Sequence, residues 1–203
     1  MLWKHMGGKK RMDIRNNKVI LYSSQAEAVL QIIERDGECF SKRKYVEDKY
    51  QESAPIFVSA YSWFVHEAEK YVVRPENAEY PYWAFKDIYS VEASGDSRII
   101  KIEVPADEAV FFDMYDWNKI LSLKYIGETE TDEQEFRKML RDYGITRESD
   151  VVLTNFYPNL KRQVQESWKR LFRHHEDIIN GENQGIGSIQ AGLWTIRKEW
   201  IVK

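Results

Sequence analysis

The chain has 203 residues, of which 30 are basic and 33 acidic, and a formal net charge of −3 argues against a generic nucleic-acid-binding surface. Its single cysteine, Cys39, excludes an intramolecular disulfide and a thiolate metal cluster, and a free thiol is typical of a reducing, cytoplasmic compartment. No apolar run approaches the roughly 18 residues that a membrane-spanning helix needs, so we do not expect a membrane as a partner.

The length fits one domain with insertions. The segment 1–17 is basic and lacks the apolar stretch of a signal peptide or a core-anchoring element. We therefore expect 1–17 to be a flexible leader or an expression-derived extension, and 18–203 to form a single domain.

The first half of the chain predicts one strand and two helices. Val19–Tyr22 is β-branched and aromatic and predicts a strand. Apolar residues at helical spacing then predict a helix that ends at Gly37. The polar segment 38–53 predicts irregular chain, Pro55 begins a second helix, and Arg74–Tyr82 predicts a loop.

The second half predicts four strands and three helices. The strands are expected at Ile99–Val104, Val110–Phe112, Ser188–Ile196 and Trp200–Val202. Asp116 is the expected cap of a third helix, and apolar stripes predict helices over Asp132–Tyr143 and Leu160–Phe172, the latter with Trp168 in the core. Because helices and strands mix without a steady βαβ alternation, the fold class is α+β, with a small mixed or antiparallel sheet flanked by amphipathic helices.

Aromatic residues make up 14% of the chain and concentrate in three segments. These segments are Ala60–Trp63, Tyr80–Phe85 and Asp113–Trp117. Each combines large rings with a hydroxyl or a carboxylate, which is typical of a wall that stacks a base or a sugar and binds its edges. The alternative is that these rings cover a small core and satisfy their polar tips locally.

Complete catalytic motifs are not present. The sequence contains no P-loop, no G-x-G-x-x-G and no G-x-S-x-G. The adjacent His174 and His175 would point about 100° apart on a helix, so we do not expect them to share a metal ion.

The order of several motifs resembles the bacterial domain-of-unknown-function family 3841 over roughly residues 19–202. The motifs are L-Y-S-S-Q, A-Y-S-W-F-V, Y-P-Y-W-A-F, I-I-K-I-E-V-P-A-D-E-A-V-F-F-D, W-N-K-I-L, E-S-W-K-R-L-F and I-Q-A-G-L-W-T-I. The opening of the family is similar to W-T-x-Q, so Tyr22 and Ser23 depart from it. The resemblance implies a fold and its boundaries but no activity.

The chain also resembles the ADP-ribosyltransferase-like fold. That resemblance sets Tyr22–Gln25, Tyr61 and Gln190 in the places of ligand-contacting residues, and Gln190 in the place of a catalytic glutamate. Glutamine keeps the hydrogen bonds of that glutamate but not its charge, so the resemblance leaves catalysis open.

Gln190 and Gly192 alternate with Ile189, Ala191 and Leu193 along the predicted strand. If those three apolar residues face the core, Gln190 shares its face with Gly192 and Trp194. We expect a small residue beside a ring to leave room for a planar ligand. The alternative is an edge strand with a solvated Gln190.

Two functions remain open from the sequence. The first is a pocket for a nucleotide- or NAD-like ligand in a degenerate relative of the ADP-ribosyltransferases. NAD or a nucleotide would be the ligand, no cofactor is certain, and no metal is expected. Its candidate residues are Tyr22, Gln25, Tyr61, Trp83, Asp113 and Gln190. The second is a non-catalytic protein-interaction module of phage or mobile-element origin.

Overall fold

A computed structural model describes residues 17–93 and 95–202, so nearly all of the predicted leader lies outside the described residues. The described chain contains seven strands in two antiparallel sheets. They are β1 (Lys18–Ala26), β2 (Glu38–Phe40), β3 (Tyr82–Phe85), β4 (Ser97–Pro105), β5 (Ala109–Asp113), β6 (Ile189–Leu193) and β7 (Thr195–Arg197).

Eight α-helices accompany these strands in the described residues. They are α1 (Glu27–Asp36), α2 (Arg43–Tyr50), α3 (Ala54–Ala68), α4 (Met114–Leu121), α5 (Glu130–Asp142), α6 (Ser149–Leu153), α7 (Pro158–Ser167) and α8 (His175–Ile179). Short 3₁₀ turns lie at Gln51–Ser53, Ile88–Ser90, Ala106–Glu108, Trp168–Phe172 and Lys198–Trp200. None of the described helices combines the length and the apolar composition needed to cross a membrane.

The main sheet has five strands in the order β4-β1-β3-β6-β5, and β2 pairs with β7 in a separate ribbon. All of its pairs are antiparallel. The predicted strands Val19–Tyr22, Ile99–Val104, Val110–Phe112 and Ser188–Ile196 all contribute to this sheet. The α+β class and the single domain are confirmed.

A hydrophobic core covers each face of the main sheet. The neighbours Phe111 and Phe112 on β5 show the division, because successive strand residues point to opposite faces. Phe112 belongs to the helical core, a buried cluster that includes Phe64 and Trp168. Phe111 belongs to the second core, which includes Ile33 of α1.

The prediction of irregular chain over 38–53 is wrong, because this segment holds β2 and α2. Both elements are too short for a clear periodicity, and tertiary contacts stabilise them. Cys39 of β2 pairs with Ile196 of β7. Val46 of α2 is buried in the helical core.

The prediction that Asp116 caps the third helix is also wrong. Asp113 is the cap of α4, and its carboxylate accepts a hydrogen bond from the backbone N–H of Tyr115. Asp116 is instead buried within α4, where Lys119 and Arg173 pair with its carboxylate. The charges of these two partners make its burial tolerable.

Three predicted elements change their type, are divided or are reduced to a bridge. The helix predicted over Leu160–Phe172 is α-helical only to Ser167 and continues as a 3₁₀ turn. The strand predicted over Ser188–Ile196 is divided at Trp194 into β6 and β7. The strand predicted at Trp200–Val202 is reduced to a single bridge between Ile201 and Ile102.

His175 accepts a hydrogen bond at one edge of the main sheet. β5 is an edge strand, and the backbone N–H of Phe111 donates to Nδ1 of His175 across 3.1 Å. His175 is 4% exposed, and burial lowers its pKa below the ordinary value, while Glu176 opposes that shift. Since Nδ1 accepts this hydrogen bond, the imidazole is neutral in the folded state.

We expect His175 to make the protein sensitive to acid. The unfolded chain takes up a proton on this histidine near pH 6.5 and the folded chain does so only at a lower pH, because the pKa of His175 is lowered by burial, so the free energy of unfolding falls as the pH drops below about 6.5. His175→Asn keeps an acceptor near the Nδ1 position and removes the titration. Denaturant unfolding at pH 7.5 and pH 5.5 should show a smaller loss of stability in His175→Asn than in the wild type.

The control for this measurement is His66→Asn, because the side chain of His66 is 75% exposed. This variant should keep the pH dependence of the wild type. Equal losses of stability in His175→Asn and in the wild type would contradict the assignment.

Candidate functional site

Five residues form one row across the main sheet. Direct pairing sets them side by side in the order Lys101, Tyr22, Phe85, Gln190 and Phe112. Directly opposed residues of antiparallel strands point to the same face of the sheet. The predicted residues Tyr22 and Gln190 therefore share a face, with Phe85 between them.

Gln190 lies on an interior strand of the sheet and not on an edge strand. β6 runs between β3 and β5, so the alternative of an edge strand with a solvated glutamine is wrong. The residue is 3% exposed. Its Oε1 atom is buried and has no hydrogen-bond partner among the described residues. An unpaired buried acceptor of this kind costs roughly 1–3 kcal/mol, so it stands out in a folded protein.

The space above Gly192 is already filled. A Cβ atom built on Gly192 would lie 2.8 Å from Cζ of Phe64, and Phe64 is fully buried in the helical core. The expectation that Gly192 leaves room for a planar ligand is therefore wrong. Of the two cross-strand neighbours of Gln190, Phe112 is fully buried and Phe85 is half-buried, so the side of Phe85 is the more open of the two.

Trp83 and Tyr61 satisfy each other's polar atoms. The indole N–H of Trp83 donates to the hydroxyl of Tyr61 across 2.8 Å. Tyr61 is buried, and this burial raises the pKa of its hydroxyl. The Trp83 ring also contacts Trp117, with ring centroids 4.9 Å apart. These residues form an aromatic wall on the same face as Gln190, and the polar tips of Trp83 and Tyr61 are locally paired, as the alternative interpretation of the aromatic segments expected.

Two other candidates lie apart from this row. Gln25 is an odd number of residues from Tyr22 along β1, so it points to the opposite face. There its amide N–H₂ donates to the hydroxyl of Ser23, and that hydroxyl donates to the carbonyl of Trp83. Gln25 therefore stabilises the contact between β1 and β3 from the opposite face of the sheet.

Asp113 has a structural role at the end of β5. Besides capping α4, its carboxylate accepts hydrogen bonds from the backbone N–H groups of Gly187, at 2.7 Å, and Ser188. It holds the chain immediately before β6, where Ser188 lies two residues before Gln190.

Phe85 and Lys101 were not among the candidate residues, although Phe85 ends one of the three aromatic segments. Phe85 lies directly between Tyr22 and Gln190, and Lys101 lies on the other side of Tyr22. Tyr22 and Phe85 are half-buried, and neither is among the hydrophobic side chains packed on the helical core or the second core. We call Tyr22, Phe85 and Lys101, with Ser24 and Ile99 beside them, the sheet ledge.

The ledge and Gln190 offer aromatic faces, one exposed cation and a buried amide. Within residues 17–93 and 95–202, no group of three or more His, Cys, Asp or Glu side chains is placed to hold a metal ion. The arrangement is therefore suited to stacking and hydrogen bonding of a planar molecule.

The comparisons with known proteins give a family but no described activity. The family model "Domain of unknown function (DUF3841)" matches residues 20–202. No curated protein and no solved structure matches the chain, so the likeness to the ADP-ribosyltransferase-like fold stays a prediction. The match covers nearly the whole chain, and the protein therefore belongs to the DUF3841 family.

Proposed function

We propose that this protein binds a nucleotide- or NAD-like ligand on the sheet ledge, with the ring of the ligand directed at Gln190. The observation that carries the proposal is the buried Oε1 of Gln190, which lacks a partner among the described residues. A ligand that donates a hydrogen bond to this atom removes the cost of leaving it unpaired.

The chemistry of the amide selects the kind of ring. Oε1 accepts a hydrogen bond and Nε2 donates one, so Gln190 pairs with a planar edge that carries a donor beside an acceptor. Adenine offers such an edge at N6 and N7, and the carboxamide of nicotinamide offers another. Tyr22 and Phe85 supply flanking rings, and stacking on an aromatic side chain contributes about 1–3 kcal/mol per base.

The half-buried position of Phe85 provides the route of entry. It is directly paired with Gln190, and the proposal requires the Phe85 side chain to move aside when the ligand binds, while the fully buried Phe64 stays in place. The proposal concerns binding, because an uncharged amide does not stabilise the positive charge of an oxocarbenium-like transition state.

The test is Gln190→Met in a thermal-shift screen with AMP, ADP, ATP, NAD, ADP-ribose and nicotinamide mononucleotide. We expect at least one of these to raise the melting temperature of the wild type, since a ligand at 100 times its Kd stabilises the folded state by about 2.7 kcal/mol. In Gln190→Met this rise should disappear. The unliganded variant should itself be more stable than the wild type, by about 1 kcal/mol, because methionine has a similar shape and no unpaired oxygen.

Gln25→Met is the matched control, because it removes a second buried glutamine whose amide is hydrogen-bonded on the opposite face. It should lower the stability of the unliganded protein and leave the ligand-induced rise intact. A Gln190→Met variant that binds like the wild type would overturn the proposal. No thermal shift with any of the six ligands would also overturn it, and would favour the protein-interaction module.

A further inference from the structure

We infer that the ligand is a nucleoside diphosphate, or a dinucleotide that contains one, and that Lys101 binds its phosphates at the outer end of the ledge. This inference rests on the proposed function, because it takes the ring position at Gln190 as its starting point.

The row across the sheet sets the direction of the ligand. Lys101 pairs with Tyr22, Tyr22 with Phe85, and Phe85 with Gln190. Strands lie 4.7–4.9 Å apart, so three strand spacings separate the Lys101 and Gln190 backbones by about 14 Å. This distance suits an extended nucleotide that lies across the strands, with its ring at Gln190 and its diphosphate at the edge strand β4.

The charge of Lys101 is available for a ligand. Its side chain is exposed, and the ion pairs of the described residues do not include it. The neighbouring basic groups of β1 and β4 are already engaged, since Lys18 pairs with Glu103 and Arg98 pairs with Glu27. An ammonium group without a carboxylate partner is suited to a phosphate.

One hydroxyl group of the ledge lies diagonally across from this cation, since Ser24 pairs with Ile99 and Tyr22 pairs with Lys101. Ser24 follows Tyr22 by two residues on the same face, and its hydroxyl donates to the hydroxyl of Ser97 across 3.1 Å. Serine hydroxyls bind both sugar and phosphate oxygens. The outer end of the ledge therefore offers a serine hydroxyl as well as a cation, and these groups suit the sugar and the phosphates of a nucleotide whose ring lies at Gln190.

The experiment measures the affinities of adenosine, AMP and ADP by calorimetry, at low and at high salt. For the wild type we expect ADP to bind more tightly than AMP, and AMP more tightly than adenosine. In Lys101→Met, ADP binding should weaken about tenfold, in line with the loss of one charge-assisted hydrogen bond, and adenosine binding should change less than twofold. The salt dependence of ADP binding should decrease in the variant, because salt screens the lost charge pair.

Lys18→Met is the matched control, since Lys18 is an exposed lysine of the same sheet that already pairs with Glu103. It should change ADP binding less than twofold. The inference is overturned if Lys101→Met leaves ADP binding unchanged, if it weakens adenosine as much as ADP, or if the wild type binds adenosine as tightly as ADP.

The two proposals fail in distinguishable ways. Loss of adenosine binding in Gln190→Met together with no effect of Lys101→Met overturns the phosphate site alone. If Gln190→Met binds adenosine like the wild type, both proposals are wrong. If none of the three compounds binds, the phosphate site is overturned, and the thermal-shift screen with six ligands decides the proposed function.

Discussion

Replacing Trp168 with alanine is expected to lower the free energy of unfolding by about 3–5 kcal/mol. Trp168 is fully buried in the helical core. Its ring meets Trp63 edge to face, with centroids 5.5 Å apart. Its indole N–H donates to the carbonyl of Lys124 across 2.7 Å, so truncation leaves both a cavity and an unpaired carbonyl.

Denaturant unfolding measures this loss directly. Phe156→Ala is the control, since Phe156 is 83% exposed and its truncation should change the stability by less than about 0.5 kcal/mol. Trp168→Phe retains a ring and loses the hydrogen bond, so its loss of stability should lie between the losses of Trp168→Ala and Phe156→Ala. A loss below about 1 kcal/mol in Trp168→Ala would show that this ring does not support the core.

The long strands and helices were predictable because their signals are local. The alternation in Ile99–Val104 and the β-branched run at Val19–Tyr22 mark strands of the main sheet. Helix α1 ends where expected, at Gly37, because its φ of 88° is a left-handed conformation that glycine adopts without strain. Each of these features is encoded within a few neighbouring residues.

The short elements were not predictable in the same way. β3 is a four-residue strand that lies inside an aromatic segment, and nothing in its own composition separates a strand from a loop. It exists because β1 and β6 pair with it on both sides. Pairing between segments a hundred residues apart is a property of the fold and leaves no periodic signal in the sequence.

The candidate site was also predictable only in part, namely where its signals are local. Strand alternation correctly placed Ile189, Ala191 and Leu193 in one core and left Gln190 on the other face. The grouping of Tyr22 with Gln25 failed for the same physical reason, since three residues along a strand reverse the face. The register that brings Phe85 and Lys101 into the row required the structure.

Gly192 shows best what the sequence could not indicate. The glycine is needed because Phe64 occupies the space where its side chain would lie. Phe64 is held between Trp83, at 5.0 Å, and Trp117, at 5.4 Å between ring centroids. The outer end of the Phe64 side chain makes the contact with Gly192, and such an end can often move. Here the neighbouring rings prevent the Phe64 ring from rotating away.

We therefore expect Gly192→Val to destabilise the protein by about 3 kcal/mol, near the upper end of the usual cost of overpacking a core. Phe64→Leu destabilises the protein as well, because it removes part of the ring, but it opens the space above position 192. The double variant should lose at least about 1 kcal/mol less than the sum of the two single losses, since residues in contact couple by about 0.5–3 kcal/mol. Unfolding titrations of the four proteins complete this cycle. Additive losses, within about 0.5 kcal/mol, would mean that Phe64 does not close this space, and a planar ligand could then lie over Gly192 instead of on the ledge beside Phe85.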